Sequence, residues 1–487
     1  MHSAFRYKWS AMAKCIWPLL YNVSLRMFLP FQNFENNMTP EIAYVDLPEK
    51  LLEKALAAGA EAAEIYQSNS LEKPAIFEGN RLKQIETTQA EGVALRLWKN
   101  GKPGLAVGYG PVDVDVLVEK ALAISELNAP ETPRLVEGDV RDFGSVGEPM
   151  AVDVLVEKGR EVIERVRDRY PEAVCEASFS CDVEAVRLLT SAGLDYRSQD
   201  TTLSGYVSAE MVEGEDFLCV SDGLVNRDSL EVQKVSESVL RRMDWAQRTV
   251  MPFDGNQKGS QSHQVPVIFT AGAAGLLWDT VTAALNGKRI LEGSSPWIEK
   301  LGEQVISDRV TLRQDPTVGP YSCSFDDEGM LTQPITFVEK GVVRSWFSDL
   351  TVGGKGDEKG KGVAGLNGST GNGIRPGLGS YPTPGLVNLL VTPGELSWQA
   401  LIQQFSEAIV VDQVMGEGGD ITGDLSINLE LGYRVKDGEI IGRVKDTMVS
   451  GNAYHALGNV LALGREVEWS GSVCGCAIAV EGLSVSC

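Results

Sequence analysis

The chain has 487 residues, 43% of them hydrophobic, which is enough for a large core and about two domains of ordinary size. Acidic residues outnumber basic ones by 67 to 44, and the formal charge of -23 argues against nucleic-acid binding, because phosphate contacts need a basic face. The eight cysteines are scattered, which favours a reducing compartment over a disulfide framework, so we expect a cytoplasmic protein.

The first 37 residues differ in composition from the rest, being basic and aromatic with a single acidic residue, Glu35. Their apolar run is interrupted by prolines, Asn22 and Arg26, which does not suit a membrane-spanning helix. We therefore interpret residues 1–37 as a disordered extension or a misassigned start, with the folded protein beginning near Met38. No other segment is apolar enough to predict a membrane association.

Beyond this segment the pattern predicts helices that alternate with strand hairpins. Apolar residues over 47–55 have helical spacing, and the chain then passes through Gly59 into a strand. Asn100-Gly101 predicts a tight hairpin turn. Further helices are predicted over 113–127, 151–171 and about 229–247. Because the strands come as hairpins, the pattern predicts an α+β fold with an antiparallel sheet.

A polar, turn-rich segment at 253–264 predicts the boundary between an N-terminal α+β domain, 38–252, and a C-terminal domain, 265–487. The C-terminal domain is predicted to be mostly antiparallel β-structure, sandwich- or barrel-like, with a few helices. Its main predicted elements are a buried strand at 265–270, a helix at 275–287, strands within 324–349, a mobile glycine-rich loop at 353–365 and a helix at 397–414.

Histidine content limits the chemistry, because the chain has only His2, His263 and His455. No two of them lie on one helical turn, as a two-histidine zinc helix requires. No G-x-S-x-G elbow accompanies them, which argues against a serine triad. We expect His263 to be an exposed linker residue and His455 to be a packed or surface residue.

Three other motifs are better explained as structure than as chemistry. Cys474-Gly475-Cys476 has no second pair at zinc-site spacing, so we expect two buried thiols. Asp326-Asp327-Glu328 lacks the spacing of an EF-hand loop, and a turn closed by Gly329 is the favoured interpretation. The glycine-rich loop contains no G-x-x-x-x-G-K-[ST] window, which argues against a nucleotide site.

Several segments of the second half, in order, resemble the TldD/PmbA family, whose members are described as modulators of DNA gyrase and as metalloproteases. They are LGEQVISDRVTLRQDPT (301–317), FDDEGMLTQPITFVEKGVVRSWFSDL (325–350), STGNGIRP (369–376), GDITGDLSINLELGYRVKDGEIIGRVKDTMVSGN (419–452) and AVEGLSV (479–485). The resemblance implies a two-domain α+β architecture. In the family's catalytic branch, TldD, a helix reading H-E-x-x-x-H binds zinc. The PmbA/TldE branch lacks that motif and pairs with the catalytic subunit.

The segment GLLWDTVTAALNG (275–287) stands where the family places its zinc helix. Trp278 stands for the first histidine, Asp279 for the glutamate and Ala283 for the second histidine. Indole offers only an N–H donor and alanine offers no ligand atom, so neither residue can ligate zinc. Trp278 also belongs to an apolar helical stripe, which predicts that it lies in the core. The resemblance is therefore to the PmbA/TldE branch, and we predict no catalytic or metal-binding residue and no cofactor in this chain, with zinc in the partner subunit.

The segment STGNGIRP contains the candidate substrate-binding residues Ser369, Asn372 and Arg375. Their polar groups suit a peptide backbone or carboxylate, and the glycines beside Asn372 would allow close approach of a backbone. The alternative interpretation is a turn between strands, with Arg375 in a surface ion pair.

These observations favour a cytoplasmic, non-catalytic subunit of a TldD/TldE-type metalloprotease complex that acts on unfolded or small peptides. Its expected partners are a TldD-type catalytic subunit, in a hetero-oligomer, and peptide substrates. The alternative is a stand-alone interaction protein that regulates a toxin–antitoxin or gyrase-linked system. A third hypothesis is a peptidase with a relocated centre at Cys474 or Asp279.

Overall fold

The computed structural model describes residues 46–214, 216–253, 263–358, 364–415 and 420–486. The expected extension at residues 1–37 and most of the predicted boundary segment 253–264 lie outside these ranges. Within them, no helix is both long and apolar enough to cross a membrane.

The first half of the described chain forms one sheet with helices packed on it. Its elements are α1 (Leu47–Ala57), β1 (Ala62–Glu78), β2 (Arg81–Ile85), β3 (Thr88–Lys99), β4 (Lys102–Tyr109), α2 (Val114–Leu127), β5 (Val140–Val146), α3 (Val152–Arg169), β6 (Val174–Thr190), β7 (Asp195–Glu213), β8 (Asp216–Asn226) and α4 (Val232–Ala246). The strand order is β4-β3-β1-β6-β7-β5, with β2 beside β1 and β8 beside β7. All described pairings in this sheet are antiparallel except that of β5 with β7.

Local sequence accounts for the hairpin between β3 and β4. Asn100 and Gly101 both have positive φ, 53° and 69°, as a tight two-residue hairpin turn requires. Lys99 and Lys102 pair across this turn, which confirms the predicted hairpin. The helices predicted over 113–127, 151–171 and 229–247 are confirmed as α2, α3 and α4.

The second half forms a larger sheet. Its elements are β9 (His263–Gln264), β10 (Val267–Phe269), α5 (Gly275–Leu285), α6 (Gly287–Glu292), β11 (Leu312–Gln314), β12 (Ile335–Glu339), β13 (Val342–Val343), α7 (Leu350–Glu358), β14 (Gly373–Ile374), β15 (Thr383–Pro384), β16 (Leu389–Val391), α8 (Trp398–Ile402), β17 (Glu407–Met415), β18 (Asp424–Lys436), β19 (Glu439–Val444), β20 (Met448–Asn452), α9 (Ala453–Gly458), β21 (Val460–Ser470), β22 (Val473–Val480) and β23 (Ser484–Ser486). The order β13-β12-β11-β16-β22-β10-β17-β18-β20-β23-β9 has two ends, so the sheet is open. Most pairings are antiparallel, and the α+β prediction is confirmed.

A hydrophobic core joins the two sheets. Phe77 and Phe179 from the first sheet belong to the same buried cluster as Ile268, Val410 and Tyr433 from the second. A second cluster, which contains α5, fills the other face of the C-terminal sheet. The α5 helix therefore lies inside the fold.

Two predicted elements of the C-terminal half were wrong. The helix predicted over 397–414 is only α8, and the chain then forms β17, whose buried residues Ile409, Val410 and Val411 pair with both β10 and β18. This run is β-branched, and burial on both faces favours a strand. The first part of the predicted loop 353–365 is α7. A Cβ at Gly353 would collide with the backbone of Gly368, so this glycine serves close packing.

Candidate functional site

The helix α5, which the resemblance predicts to stand in the place of a zinc helix, is a core helix in this structure. Its predicted apolar stripe is confirmed, because all six residues are fully buried: Ala274, Leu277, Trp278, Val281, Ala284 and Leu285. Residues five apart in a regular helix differ by about 140° around its axis. Accordingly Trp278 faces the core, whereas Ala283 is only half-buried and Asp279 is exposed.

The indole of Trp278 lies against β22. Its Nε1 is buried without a hydrogen-bond partner in the described protein. A Cβ placed on Gly475 would lie 3.6 Å from that nitrogen, at ordinary van der Waals distance, so the indole packs beside Gly475 of β22. Burial raises the pKa of the neighbouring Cys476 to about 11 and also raises that of Cys474. Cys476 is buried and Cys474 is half-buried, and both thiols stay protonated at neutral pH, which makes them weak nucleophiles.

These residues do not fit a zinc ion. Zinc takes nitrogen, thiolate or carboxylate ligands, and three of them must converge in a catalytic site. Of the motif positions, only Asp279 carries a ligand atom, and it is exposed on another side of the helix from Trp278. In the part of the chain that the structure describes, no group of three His, Cys, Asp or Glu residues is arranged to hold a metal.

The acidic segment 326–328 forms the predicted turn. The Gly329 N–H donates to the Asp326 carbonyl at 3.0 Å, and Gly329 has a φ of 86°. The sequence did not indicate that this turn is buried: Asp326 is 1% exposed and Glu328 is 2% exposed. Burial raises the pKa of Asp326 to about 7 and that of Glu328 to about 8.

Backbone N–H groups from separate segments converge on this turn. Asp326 accepts from the Gly373 N–H at 2.7 Å, and Asp327 accepts from the Arg375 N–H at 2.6 Å. Glu328 accepts from the N–H of Leu350, at the start of α7, at 2.8 Å. The turn therefore anchors both α7 and the segment STGNGIRP.

The three candidate substrate-binding residues have partners inside the chain. The Asn372 side chain is fully buried and donates to Gln314 Oε1 and to the Gly385 carbonyl, both at 2.8 Å. Ser369 is half-buried, and its hydroxyl donates to the Ser348 carbonyl at 3.3 Å. Their role in substrate binding stays a prediction.

Arg375 belongs to a buried ion network between the two halves of the chain. Its guanidinium pairs with Glu64 of β1, and Arg96 of β3 donates to the other oxygen of Glu64 at 2.6 Å. Tyr66 lies under the Arg375 guanidinium, 5.1 Å from ring centroid to Cζ, and its hydroxyl donates to Asp327 at 2.9 Å. We call these five residues, Glu64, Tyr66, Arg96, Asp327 and Arg375, the junction. The surface ion pair considered for Arg375 was wrong, because the pair is buried.

The junction could not be read from local sequence, because Glu64 and Arg375 are 311 positions apart. The only available signal was a lone glutamate in the apolar stretch AAEIY at the start of β1. A charge in such a stretch indicates a buried pair.

Family models identify the relatives of this chain. Residues 262–487 match the PmbA/TldA metallopeptidase C-terminal domain, and residues 63–125 match the PmbA/TldA metallopeptidase domain 1. The chain belongs to the PmbA/TldD family. A relative named Metalloprotease, from Methanothermobacter thermautotrophicus, is 26% identical over 85% of this chain and 90% of its own length. The Metalloprotease PmbA homolog of Haemophilus influenzae is 25% identical over 83% and 88%.

Two solved structures have the same fold as this chain. TldE from Thermococcus kodakarensis superimposes with a TM-score of 0.79 at 22% identity, over 91% of this chain and 100% of that chain. A protein described as a modulator of a DNA gyrase, from Thermotoga maritima, gives 0.77 at 22% identity, over the same shares. At this identity the likeness shows the fold alone.

Proposed function

We propose that this PmbA/TldD protein is the cytoplasmic, non-catalytic subunit of a TldD/TldE-type metalloprotease complex that processes unfolded or small peptides. The observation that carries this function is the side-chain chemistry of α5. Trp278 and Ala283 replace both histidine ligands, and Trp278 is fully buried in the core. Zinc and peptide cleavage would then belong to a TldD-type partner in a hetero-oligomer.

In such a complex this chain would contribute a binding surface for the peptide, including the edges of its sheets. The first sheet ends at β4 on one side, and an extended peptide can add to an exposed edge through main-chain hydrogen bonds. Ser369, which is half-buried, is the candidate of the three for direct peptide contact. Asn372 and Arg375 would position its segment through their internal hydrogen bonds.

The test is to purify this chain and a TldD-type protein separately and then mix them. We expect stoichiometric association and cleavage of an unfolded peptide only in the mixture, abolished by a chelator. A partner variant with both motif histidines changed to alanine is the matched control, and its mixture should not cleave. If the chains associate without any change in cleavage, or do not associate, the stand-alone regulatory function replaces this one.

A further inference from the structure

Several edge strands of the described chain are covered, irregular or short. The outward carbonyls of Phe217 and Ser221 in β8 accept hydrogen bonds from the side chains of Arg443 and Gln413. The pairing of β5 with β7 and that of β2 with β1 both contain a register shift. The end strands of the C-terminal sheet, β9 and β13, are two residues long. Such edges do not readily pair with another chain.

The edge strand β4 differs from these. It ends the first sheet and pairs with β3 without a register shift. Natural edge strands usually carry a charge, a proline or a bulge that prevents pairing with another chain. The part of β4 that follows Pro103, GLAVGY (104–109), has no charged residue and no proline. This part of β4 is therefore open to pairing.

The Asn100-Gly101 turn determines which backbone groups of β4 face outwards. Lys99 and Lys102 close the two-residue hairpin, so Lys102 and every second residue after it bond to β3. The residues between them point their N–H and C=O groups away from β3. Pro103, the first of these, follows the rule, because its carbonyl accepts from Asn128 Nδ2 at 2.7 Å.

The remaining outward-facing residues of β4 are Leu105, Val107 and Tyr109. In the part of the chain that the structure describes, no other strand pairs with them on this side. Leu105 and Val107 are half-buried, and Tyr109 is 61% exposed. An added strand would give the N–H and C=O groups of these residues hydrogen-bond partners.

The faces of β4 are occupied, in contrast to this edge. On one face α2 packs against the strand, since a Cβ on Gly104 would lie 2.0 Å from the Ala121 carbonyl. On the other face, a Cβ on Gly379 would lie 3.7 Å from Val107 Cγ2. Side chains project from the faces of a sheet, so both contacts are made with the faces and leave the edge free.

The length and the side chains of the edge favour a short peptide over a second copy of this chain. From Leu105 to Tyr109 the strand spans about 17 Å, whereas each partner of a stable dimer buries roughly 800 Å². Leu105, Val107 and Tyr109 share one face, and the small residues Ala106 and Gly108 lie on the other. A paired peptide would therefore place apolar side chains at alternate positions. The formal charge of -23 favours basic residues at its ends.

We propose that the free edge of β4, from Leu105 to Tyr109, binds an extended peptide with alternating apolar side chains and basic ends as an added strand. The peptide exchanges main-chain hydrogen bonds with Leu105, Val107 and Tyr109. The identity of this peptide as a substrate of the complex rests on the proposed function. Binding itself is a property of this chain and is measured without a TldD-type partner.

The assay is fluorescence anisotropy of a labelled, capped peptide with valine at alternate positions, serine between them and lysine at both ends. We expect saturable binding of one peptide per chain. Two N-methylated versions of this peptide are the matched comparison, because a strand pairs with an edge through every second residue only. Methylation of one alternate set should abolish binding, and methylation of the other should weaken it less than about threefold. Equal effects of the two sets, or no binding of the unmodified peptide, would overturn the assignment.

A proline variant tests the edge of the protein itself. Val107→Pro removes the central outward N–H and should weaken the peptide about tenfold or more. The strand should tolerate this change, since Pro103 already occupies an outward position. Val107→Ala keeps the N–H and is the matched control, with an expected change of less than about threefold.

Hydrogen exchange read at single residues locates the peptide on the original chain. Binding should protect the amides of Leu105 and Tyr109 and leave that of Ala106, which bonds to β3, unchanged. If Val107→Pro does not fold, this measurement decides. A bound peptide that gives Leu105 and Tyr109 no protection would contradict the assignment.

Further outcomes separate this site from a dimer interface and from the proposed function. If the chain alone sediments as a dimer that Val107→Pro dissociates, the edge belongs to a second copy and the peptide assignment fails. If Val107→Pro leaves cleavage by the mixture with a TldD-type protein unchanged, the proposed function stands and the edge does not hold its substrate. Peptide binding at this edge without cleavage in the mixture would preserve the site and overturn the proposed function.

Discussion

Removing the charge of Glu64 tests whether the junction holds the two halves of the chain together. Glu64 is 1% exposed, and its two guanidinium partners, on Arg96 and Arg375, are 5% and 3% exposed. Glu64→Gln keeps the shape of the side chain but leaves both guanidinium groups without their shared carboxylate. Breaking a buried ion pair from one side typically costs about 3–5 kcal/mol. We therefore expect the free energy of unfolding to fall by about that amount at neutral pH.

The assay is urea unfolding followed by circular dichroism, with Glu303→Gln as the matched control. Glu303 pairs with Lys300 at 2.7 Å, but both side chains are about half exposed. An exposed pair contributes roughly 0–1 kcal/mol, so the control should unfold almost like the original chain. If Glu64→Gln cost no more than Glu303→Gln, the junction would not stabilise the fold, and the interpretation of Arg375 as a structural residue would fail.

Two further predictions concern α5 and the acidic turn. Trp278→Ala should lower the free energy of unfolding by about 3–5 kcal/mol, because the indole is fully buried. The control Asp279→Ala, on the exposed side of the helix, should change the free energy of unfolding by less than about 0.5 kcal/mol. If the two variants had similar urea midpoints, Trp278 would not have a core role. Burial raises the pKa of Glu328 from 4.5 to about 8, so the folded state holds a proton that the unfolded state releases, and stability should fall as pH rises from about 4.5 to 8. Glu328→Gln keeps an acceptor for the Leu350 N–H and should flatten this dependence in urea midpoints measured across that range, and an unchanged slope would refute the shift.

Sequence was sufficient where the physical cause is local. The apolar stripe that includes Trp278 predicted both the helix and its buried face, because apolar side chains at helical spacing lie on one side of a helix. Asn100-Gly101 determined a hairpin because few residues tolerate two positive φ angles in succession.

Sequence was insufficient where distant partners decide the outcome. The run Ile409–Val411 became a strand because β10 and β18 pair with it from both sides, and periodicity alone does not reveal those neighbours. The glycines at the start of α7 looked mobile, but Gly353 is needed for contact with Gly368. The acidic turn was predicted as a turn, but its local sequence does not reveal that segments from three parts of the chain donate hydrogen bonds to its carboxylates.

The most direct test of the proposed non-catalytic role uses this chain alone. The purified protein is equilibrated with zinc, dialysed and assayed for bound metal by mass spectrometry, and the same sample is tested for cleavage of an unfolded peptide with and without a chelator. Because neither Trp278 nor Ala283, at the positions that the resemblance assigns to the two histidines, offers a zinc ligand, we expect substoichiometric zinc and no cleavage that the chelator abolishes. One zinc per chain together with chelator-sensitive cleavage would contradict the proposed function.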